Sequence, residues 1–164
     1  MSVAEQKGLS LLEVLIASAI LSILVFGIVQ SVGSLAMETK HSRDRLTASL
    51  LASGLREEIL SKPLRDPNQP PVFGKEPGEY GNVRIYFDDR DDYDGLEDNP
   101  VTDLKGNPMP GMERYSRTIK ILRVSEDDPQ KEDKTGISRL FLYTVVVRKD
   151  GAEQTRLEWL EARP

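Results

Sequence analysis

The chain has 164 residues, a formal net charge of −5 and no cysteine. The lack of cysteine excludes disulfides, a thiol nucleophile and a lipid-modified cysteine anchor, and the acidic balance without a basic stripe disfavours nucleic-acid binding. Aromatic residues make up 6% and charged residues 30% of the chain, which predicts a modest core built mostly of aliphatic side chains.

An apolar run near the N-terminus is the first predicted element. It extends from Val14 to Leu35, has no charged side chain between Glu13 and Glu38, and is long enough to span a bilayer. Insertion of the run gains on the order of 6 kcal/mol, which exceeds the cost of about 3 kcal/mol for one carboxylate near a helix end. The sequence therefore predicts a membrane helix with Glu13 at its head.

Two roles remain open for Glu13. The segment Ser10-Leu11-Leu12-Glu13 has the S-x-x-E form of a capping box, in which Ser10 caps the helix and Glu13 reaches back, favoured by the helix dipole. Alternatively, an ionised carboxylate held in hydrocarbon needs a cation, and the apolar run supplies none. The second role predicts a partner molecule.

A short polar leader, Met1 to Gly8, stands directly before the apolar run. An ordinary secretory signal is cut after its apolar region, for which Ser34-Leu35-Ala36 could serve. Here the junction of the leader and the apolar run reads Gly8-Leu9-Ser10-Leu11-Leu12-Glu13-Val14-Leu15-Ile16-Ala17. This order resembles the prepilin leader of type IV pilins and of the pseudopilins of type II secretion systems.

The resemblance implies a processing step and an assembly step. A prepilin peptidase would cut between Gly8 and Leu9 and methylate the new α-amino group of Leu9. Glu13 matches the family's glutamate at the fifth mature position, and would meet the N-terminal amine of an adjacent subunit. Two departures from the family pattern are Leu9, where phenylalanine is usual, and a leader with the single lysine Lys7.

The resemblance also implies a topology: one pass through the bacterial inner membrane, a cytoplasmic N-terminus and a periplasmic C-terminal domain. The charge count opposes this orientation, because Lys40, Arg43 and Arg45 beyond the run outnumber Lys7 plus the α-amine. We give the leader pattern precedence over the charge count.

Three segments follow from this interpretation: a leader (1–8), a transmembrane and assembly segment (9–37) and a pilin-like periplasmic domain (38–164). Leucine and isoleucine recur at three-to-four-residue spacing up to Lys62, and Pro63 ends the pattern. One helix is therefore predicted from Leu9 to Lys62, with an amphipathic second half.

The remaining residues predict a connector and a small sheet. Residues 65–81 are rich in proline and glycine and read as a loop. The predicted strands are Val83 to Phe87, Ser116 to Val124, Ile137 to Arg148 and Thr155 to Leu160. Residues 125–136 should join two of them as an antiparallel hairpin, and Trp159 should anchor the last strand against the helix. The predicted fold class is α+β and pilin-like: a long N-terminal helix packed on a small antiparallel sheet.

Acidic residues are concentrated in residues 88–98, which contain seven acids and one arginine. Such a segment could ligate calcium, with Asp89, Asp91 and Asp94 as the best candidates, and some pseudopilins bind calcium in a loop between strands. An EF-hand alignment fails, because it places Arg90 at the first ligand position. The alternative is a solvated turn between strands. No other cofactor is predicted.

No catalytic constellation is visible, since the lone His41 is isolated and neither a phosphate-binding loop nor an H-E-x-x-H motif occurs. We therefore expect that the protein is not an enzyme. The resemblance implies a structural subunit, a minor pseudopilin or minor pilin, assembled into a short periplasmic type II secretion pseudopilus or a type IV pilus. The minor class is favoured because the chain lacks the C-terminal disulfide and the membrane-helix proline that major pilins often carry.

The implied partners are prepilin peptidase, other pseudopilins or pilins, the inner-membrane assembly platform and membrane lipid. The alternative function is a membrane-anchored periplasmic binding or adaptor domain whose helix is only a tether. The mature N-terminus distinguishes the two, because it should be methylated Leu9 in a pilin-like protein and Met1, Ser2 or Met37 otherwise.

Overall fold

One long helix and a four-stranded sheet make up the regular structure. The computed structural model describes residues 10–64, 67, 73–79 and 81–163. The elements are α1 (Leu11–Leu60), β1 (Glu97–Asp98), β2 (Tyr115–Val124), β3 (Leu140–Lys149) and β4 (Ala152–Ala162), with short 3-10 helices at Arg84–Tyr86 and Asp91–Tyr93. The predicted α+β, pilin-like layout is confirmed.

Helix α1 is 50 residues long and contains no proline. Within its apolar run, hydroxyl groups donate to carbonyl oxygens three or four residues earlier, as Ser18 does to Leu15 at 2.9 Å and Ser31 to Gly27 at 2.9 Å. These bonds satisfy polar groups that would otherwise be costly in an apolar environment. Contacts divide the chain into two units, one up to Ser42 and one from Arg43 onwards.

In the second unit, α1 supplies one side of the core. Its buried residues recur at three- or four-residue spacing and form a stripe: Ala48, Leu51, Ala52, Leu55 and Ile59. An apolar stripe of this period on an otherwise polar helix must be covered by another element. The inward side chains of β2 and β3 cover it, together with Phe87, Tyr93, Leu96 and Val101 from the segments between α1 and β2.

The sheet has the order β1-β2-β3-β4, with every neighbouring pair antiparallel. Burial alternates along most of β2 and β3, so one face of the sheet packs on α1 and the other points away from it, although Val146 on that other face is also buried. Residues 125–139 connect β2 to β3, which confirms the predicted hairpin. The last three strands are confirmed, although β3 begins at Leu140 rather than at Ile137.

The predicted first strand is wrong. Residues Arg84–Tyr86 form a 3-10 turn in which Ile85 and Tyr86 are exposed. The apolar residues Val83, Ile85 and Phe87 suggested a strand, but the structure exposes Ile85 and buries Arg84 together with Phe87. The actual first strand is the short β1, which lies inside the acidic segment.

Trp159 on β4 lies against the core, as predicted. Its ring stacks on that of Tyr143, with centroids 4.9 Å apart and an interplanar angle of 12°. The Arg56 guanidinium of α1 lies 5.8 Å from the indole centroid, within the range of a cation–π contact. The indole thereby anchors the last strand against the helix.

Candidate functional site

The N-terminal end of α1 contains one half of the predicted capping box. The Glu13 backbone N–H donates to Ser10 Oγ at 3.2 Å, and both Glu13 N–H and Val14 N–H approach the Ser10 carbonyl oxygen. Within the described residues, the Glu13 carboxylate makes neither the return bond to Ser10 N–H nor an ion pair. Ser10 therefore caps the helix, and the Glu13 carboxylate takes no part in the cap.

Glu13 borders a shallow groove on the helix surface that is lined by Val14, Ala17, Ser18 and Leu21. Small residues such as Ala17 and Ser18 allow another helix to approach closely in a membrane. The predicted processing residues Gly8 and Leu9 lie outside the described residues. The structure therefore places the predicted assembly residue Glu13 on an exposed, apolar helix surface.

The apolar part of α1 is exposed throughout. It contains an 18-residue window that is long and apolar enough to cross a membrane, and none of that window is buried within the chain. Leu15, Val25 and Phe26 illustrate this, with side chains more than half exposed. A surface of this length and composition is matched by hydrocarbon or by other apolar helices.

The acidic segment, residues 88–98, is folded into the domain. Asp89, Asp91 and Asp92 are each at most 2% exposed. Asp89 Oδ1 accepts the Asp91 N–H at 2.8 Å, and Asp92 Oδ2 accepts the Asp89 N–H at 3.0 Å. The alternative of a solvated turn is wrong for these buried carboxylates, and backbone amides of the segment itself replace water as the hydrogen-bond donors to Asp89 and Asp92.

The other two predicted calcium ligands also have partners within the chain. Asp91 Oδ2 accepts the Gly74 N–H at 2.9 Å, and Asp91 Oδ1 lies 2.7 Å from Arg163 Nη1. Asp94 Oδ1 accepts the Ile121 N–H of β2 at 2.7 Å. Asp91 thus connects the acidic segment to Gly74 and Arg163, and Asp94 connects it to β2.

A different set of acids converges in the same region. Among the described residues, the carboxylates of Glu76, Glu79 and Asp88 each offer an oxygen within 4.8 Å of the others. The predicted set of Asp89, Asp91 and Asp94 is not gathered in this way. Sequence analysis missed Glu76 and Glu79, which lie in the connector, although their spacing of three residues was visible. Calcium binding by the predicted residues stays a prediction.

Crowding shifts the acid–base properties of two of these groups. Burial, together with the nearby negative charge of Asp91, raises the pKa of Asp89 to about 7. Burial likewise raises the pKa of Asp92 to about 6, with the charge of Glu79 acting in the same direction. The folded domain therefore holds carboxyl protons more tightly than ordinary carboxyl groups do.

A second buried polar cluster lies between α1 and the sheet, and sequence analysis did not find it. Arg84 donates to Glu58 of α1 at 2.7 Å and to Thr102 Oγ1 at 3.0 Å. Arg117 of β2 donates to Asp98 of β1 at 2.9 Å, and Asp98 also accepts the Thr102 hydroxyl at 2.6 Å. The cluster joins α1, β1, β2 and the loop after β1, and its charges are paired.

Above this cluster runs an apolar groove of about 640 Å³. Leu50, Leu51 and Gly54 of α1 form one wall, and Leu104 and Met109 of the loop after β1 contribute to the other. Leu46 and Leu50 are 62% and 65% exposed, so the amphipathic half of α1 also carries apolar surface that its own domain leaves uncovered. Such surface is typical of a contact with another protein.

Comparison with known proteins identifies the N-terminal region. Residues 4–29 match the family model described as the prokaryotic N-terminal methylation motif. Comparison with curated proteins and with solved structures gave no significant match. The matched residues include Gly8, Leu9 and Glu13. The chain therefore carries the N-terminal methylation signature of type IV pilins and pseudopilins, at the start of a long helix packed on an antiparallel sheet.

Proposed function

We propose that the chain is a structural subunit, a minor pseudopilin or minor pilin, of a type II secretion pseudopilus or a type IV pilus. The observation that carries this proposal is the methylation motif at residues 4–29, located on a helix with an exposed apolar surface. The motif implies processing by prepilin peptidase and assembly with other pilins. Its role is mechanical rather than enzymatic.

In the proposed pathway, the peptidase cuts between Gly8 and Leu9 and methylates the Leu9 amine. The subunit waits in the inner membrane with its N-terminus in the cytoplasm and residues 38–164 in the periplasm, until the assembly platform adds it to the filament. Glu13 then meets the Leu9 amine of a neighbouring subunit. This pairing supplies the cation that a carboxylate in an apolar environment requires.

The domain offers a second contact for assembly. Leu46 and Leu50 form an exposed apolar surface on the second half of α1, and the groove beside Leu104 adjoins it. Burial of such side chains against a neighbour contributes about 25 cal/mol per Å². We therefore infer that subunits contact each other along both halves of α1.

Glu13→Gln tests the ion pair. Glutamine keeps the shape of the side chain and can serve in a capping box, but it carries no charge and cannot form an ion pair with an ammonium group. We expect the variant to insert and to be cleaved normally while filament assembly, measured by electron microscopy or pull-down of assembled pili, is lost. Glu38→Gln, on the same helix beyond the apolar run, serves as the matched control and should assemble normally.

Normal assembly of Glu13→Gln would reduce Glu13 to a residue of the helix end. The tether alternative is tested separately by mass spectrometry of membrane-fraction protein. Methylated Leu9 at the mature N-terminus supports the pilin-like subunit, whereas Met1, Ser2 or Met37 supports the tether. Protease protection of the C-terminal domain in sealed vesicles decides the orientation.

A further inference from the structure

The face of the sheet that points away from α1 carries a row of leucines. Leu122, Leu142 and Leu160 are register partners across β2, β3 and β4. They lie on the outer face because the adjacent positions Tyr143 and Trp159 belong to the core side. Leu160 is 46% exposed, and the other two leucines are half-buried.

One step along the strands, the same face carries a row with opposite charges at its two ends. Lys120 on β2, Thr144 on β3 and Glu158 on β4 are register partners. The Thr144 hydroxyl donates to Glu158 at 3.4 Å, which confirms that the two side chains share this face. Lys120 is exposed and has no ion-pair partner among the described residues.

Lys120 and Glu158 do not pair with each other within the chain. They lie two strands apart, and neighbouring strands are separated by about 4.8 Å, so their backbones are about 10 Å apart with Thr144 between them. Glu158 lies 3.7 Å from Arg156, an exposed pair that stabilises little. The face thus presents an unmatched cation at one edge and an accessible anion at the other.

We propose that this outer sheet face binds the same face of a second copy of the chain, about a two-fold axis parallel to β3. Such an axis places β2 of one chain over β4 of its partner. Lys120 then faces the partner's Glu158, Leu122 faces the partner's Leu160, and Leu142 faces its own equivalent. Because a two-fold contact is isologous, the ion pair forms twice.

The charge pattern selects this axis over the other in-plane choice. A two-fold axis across the strands and through the charged row would place Lys120 on the partner's Lys120 and Glu158 on the partner's Glu158. Like charges placed directly opposite each other are destabilising. Both axes keep the strands of the facing sheets aligned, in layers about 10 Å apart, so the charges decide between them.

The contact should be weak in dilute solution, because one leucine row and one charged row are a smaller surface than the ~800 Å² per partner of a stable complex. Membrane anchoring compensates for this, since chains held in one membrane experience a raised effective concentration. The dimer is therefore to be sought with the full chain in membranes.

Cross-linking tests the proposed axis, and the chain has no cysteine that would interfere. Residues of β3 on the outer face lie on the axis, so Thr144→Cys faces its own equivalent. Facing sheets are too far apart for a disulfide, which requires Cα atoms within about 7 Å, and a short bis-maleimide is therefore used. We expect a cross-linked dimer for Thr144→Cys and only background for Lys134→Cys, an exposed position in the connection between β2 and β3.

Charge reversal tests the pairing in the Thr144→Cys background. Either Lys120→Glu or Glu158→Lys places like charges at both symmetric pairs and should lower the dimer yield at least about fivefold. The double variant Lys120→Glu/Glu158→Lys should restore the yield, and Lys134→Glu should leave it unchanged. Equal melting temperatures of all variants show that the fold is intact.

Two outcomes would overturn the proposal. One is a Thr144→Cys dimer yield no higher than that of Lys134→Cys. The other is a dimer that forms but survives the single reversals, or is not recovered in the double variant, since a contact of that kind does not depend on these charges. Neither outcome bears on the methylation motif or on Glu13, so the proposed assembly function is tested independently.

Discussion

The first half of α1 and the folded domain place their side chains in opposite ways. From Leu11 to Leu35 apolar side chains are exposed, whereas in the domain charged side chains such as Arg84 and Asp98 are almost completely buried. The difference shows that hydropathy predicts burial only when the surroundings are known. The helix is matched to lipid or to other apolar helices, and the domain to water.

The two regions also differ in how their charged side chains are paired. Asp98 is paired within the chain, by two arginines and a hydroxyl. Glu13 has no such partner among the described residues, which is why its partner is proposed to come from another subunit. A charge that is paired within the chain, such as that of Asp98, stabilises the fold. A charge without such a partner, such as that of Glu13, can bind another subunit.

The largest expected effect on stability comes from removing the Asp98 carboxylate, which pairs with two buried arginines. Asp98→Ala leaves Arg117 and Arg84 buried without their shared carboxylate, and breaking one side of a buried pair costs about 3–5 kcal/mol. We expect the free energy of unfolding to fall by that amount. Urea unfolding of the full chain in detergent measures it, with fluorescence of the single Trp159 as the probe of domain packing.

An exposed ion pair supplies the control for Asp98. Glu153 and Arg156 form a pair at 3.1 Å in which both side chains are more than 40% exposed. Glu153→Ala should change the free energy of unfolding by less than about 0.5 kcal/mol. Equal effects of Asp98→Ala and Glu153→Ala would show that the buried cluster does not stabilise the domain.

The next prediction compares the effects of replacing a buried and an exposed leucine of α1. Leu55 is fully buried and Leu50 is 65% exposed. Leu55→Ala removes core contacts and leaves a cavity, which costs about 2–5 kcal/mol, whereas Leu50→Ala should leave stability within about 0.5 kcal/mol. Assembly should respond in the opposite way, with Leu50→Ala forming fewer filaments despite normal folding. Normal assembly of Leu50→Ala would exclude the second half of α1 as a subunit contact.

The elements that sequence analysis predicted correctly are those governed by local periodicity. The helix and the last three strands follow from apolar spacings of three to four and of two residues. The methylation motif is also local, and it was recognised for that reason. The strand prediction for residues 83–87 was wrong because their sequence is compatible with a strand. The conformation that they adopt depends instead on the distant residues that bind the Arg84 side chain.

Partners distant in sequence explain what sequence analysis could not find. Asp98 is 19 residues from Arg117, and Arg84 is 26 residues from Glu58. A run of acids therefore suggests a solvated turn until the fold brings backbone amides and arginines to it. The convergence of Glu76 with Asp88 depends on the fold in the same way.

Titration of the buried acids should make the stability of the domain depend on pH. The pKa values of Asp89 and Asp92 are raised to about 7 and about 6, whereas carboxyl groups in the unfolded chain titrate near 4. Between about pH 4 and pH 7 the folded state therefore holds protons that the unfolded state has released. The contribution of these groups to the free energy of unfolding accordingly falls as pH rises through this window.

Asp89→Asn isolates this contribution. Asparagine keeps the oxygen that accepts the Asp91 N–H but carries no charge, so the variant should gain on the order of 1 kcal/mol at pH 8 and little at pH 4. Urea unfolding at the two pH values measures the difference, with the exposed Asp127→Asn as control. A slope of stability against pH equal to that of the wild type would contradict the raised pKa of Asp89.

Calcium should have the smallest effect, and it tests the acidic region directly. Asp89, Asp91 and Asp94 are held by backbone amides or by Arg163, so calcium would share these carboxylates rather than find them unoccupied. We expect millimolar calcium to raise the melting temperature of the domain by a few degrees at pH 8, and less at pH 5, where protons compete for the buried carboxyl groups.

Two charge-removing variants locate the ligands. Asp94→Asn retains an acceptor for the Ile121 N–H, while Glu76→Gln alters the set in which carboxylate oxygens lie within 4.8 Å of one another. We expect Glu76→Gln to lose more of the calcium-dependent rise, because calcium needs several oxygens at once and Asp94 is committed to β2. Loss in Asp94→Asn alone would favour the ligands predicted from sequence. A melting temperature that does not respond to calcium in the wild type would exclude both sets, and would leave the acidic segment with the same purely structural role as the buried cluster around Asp98.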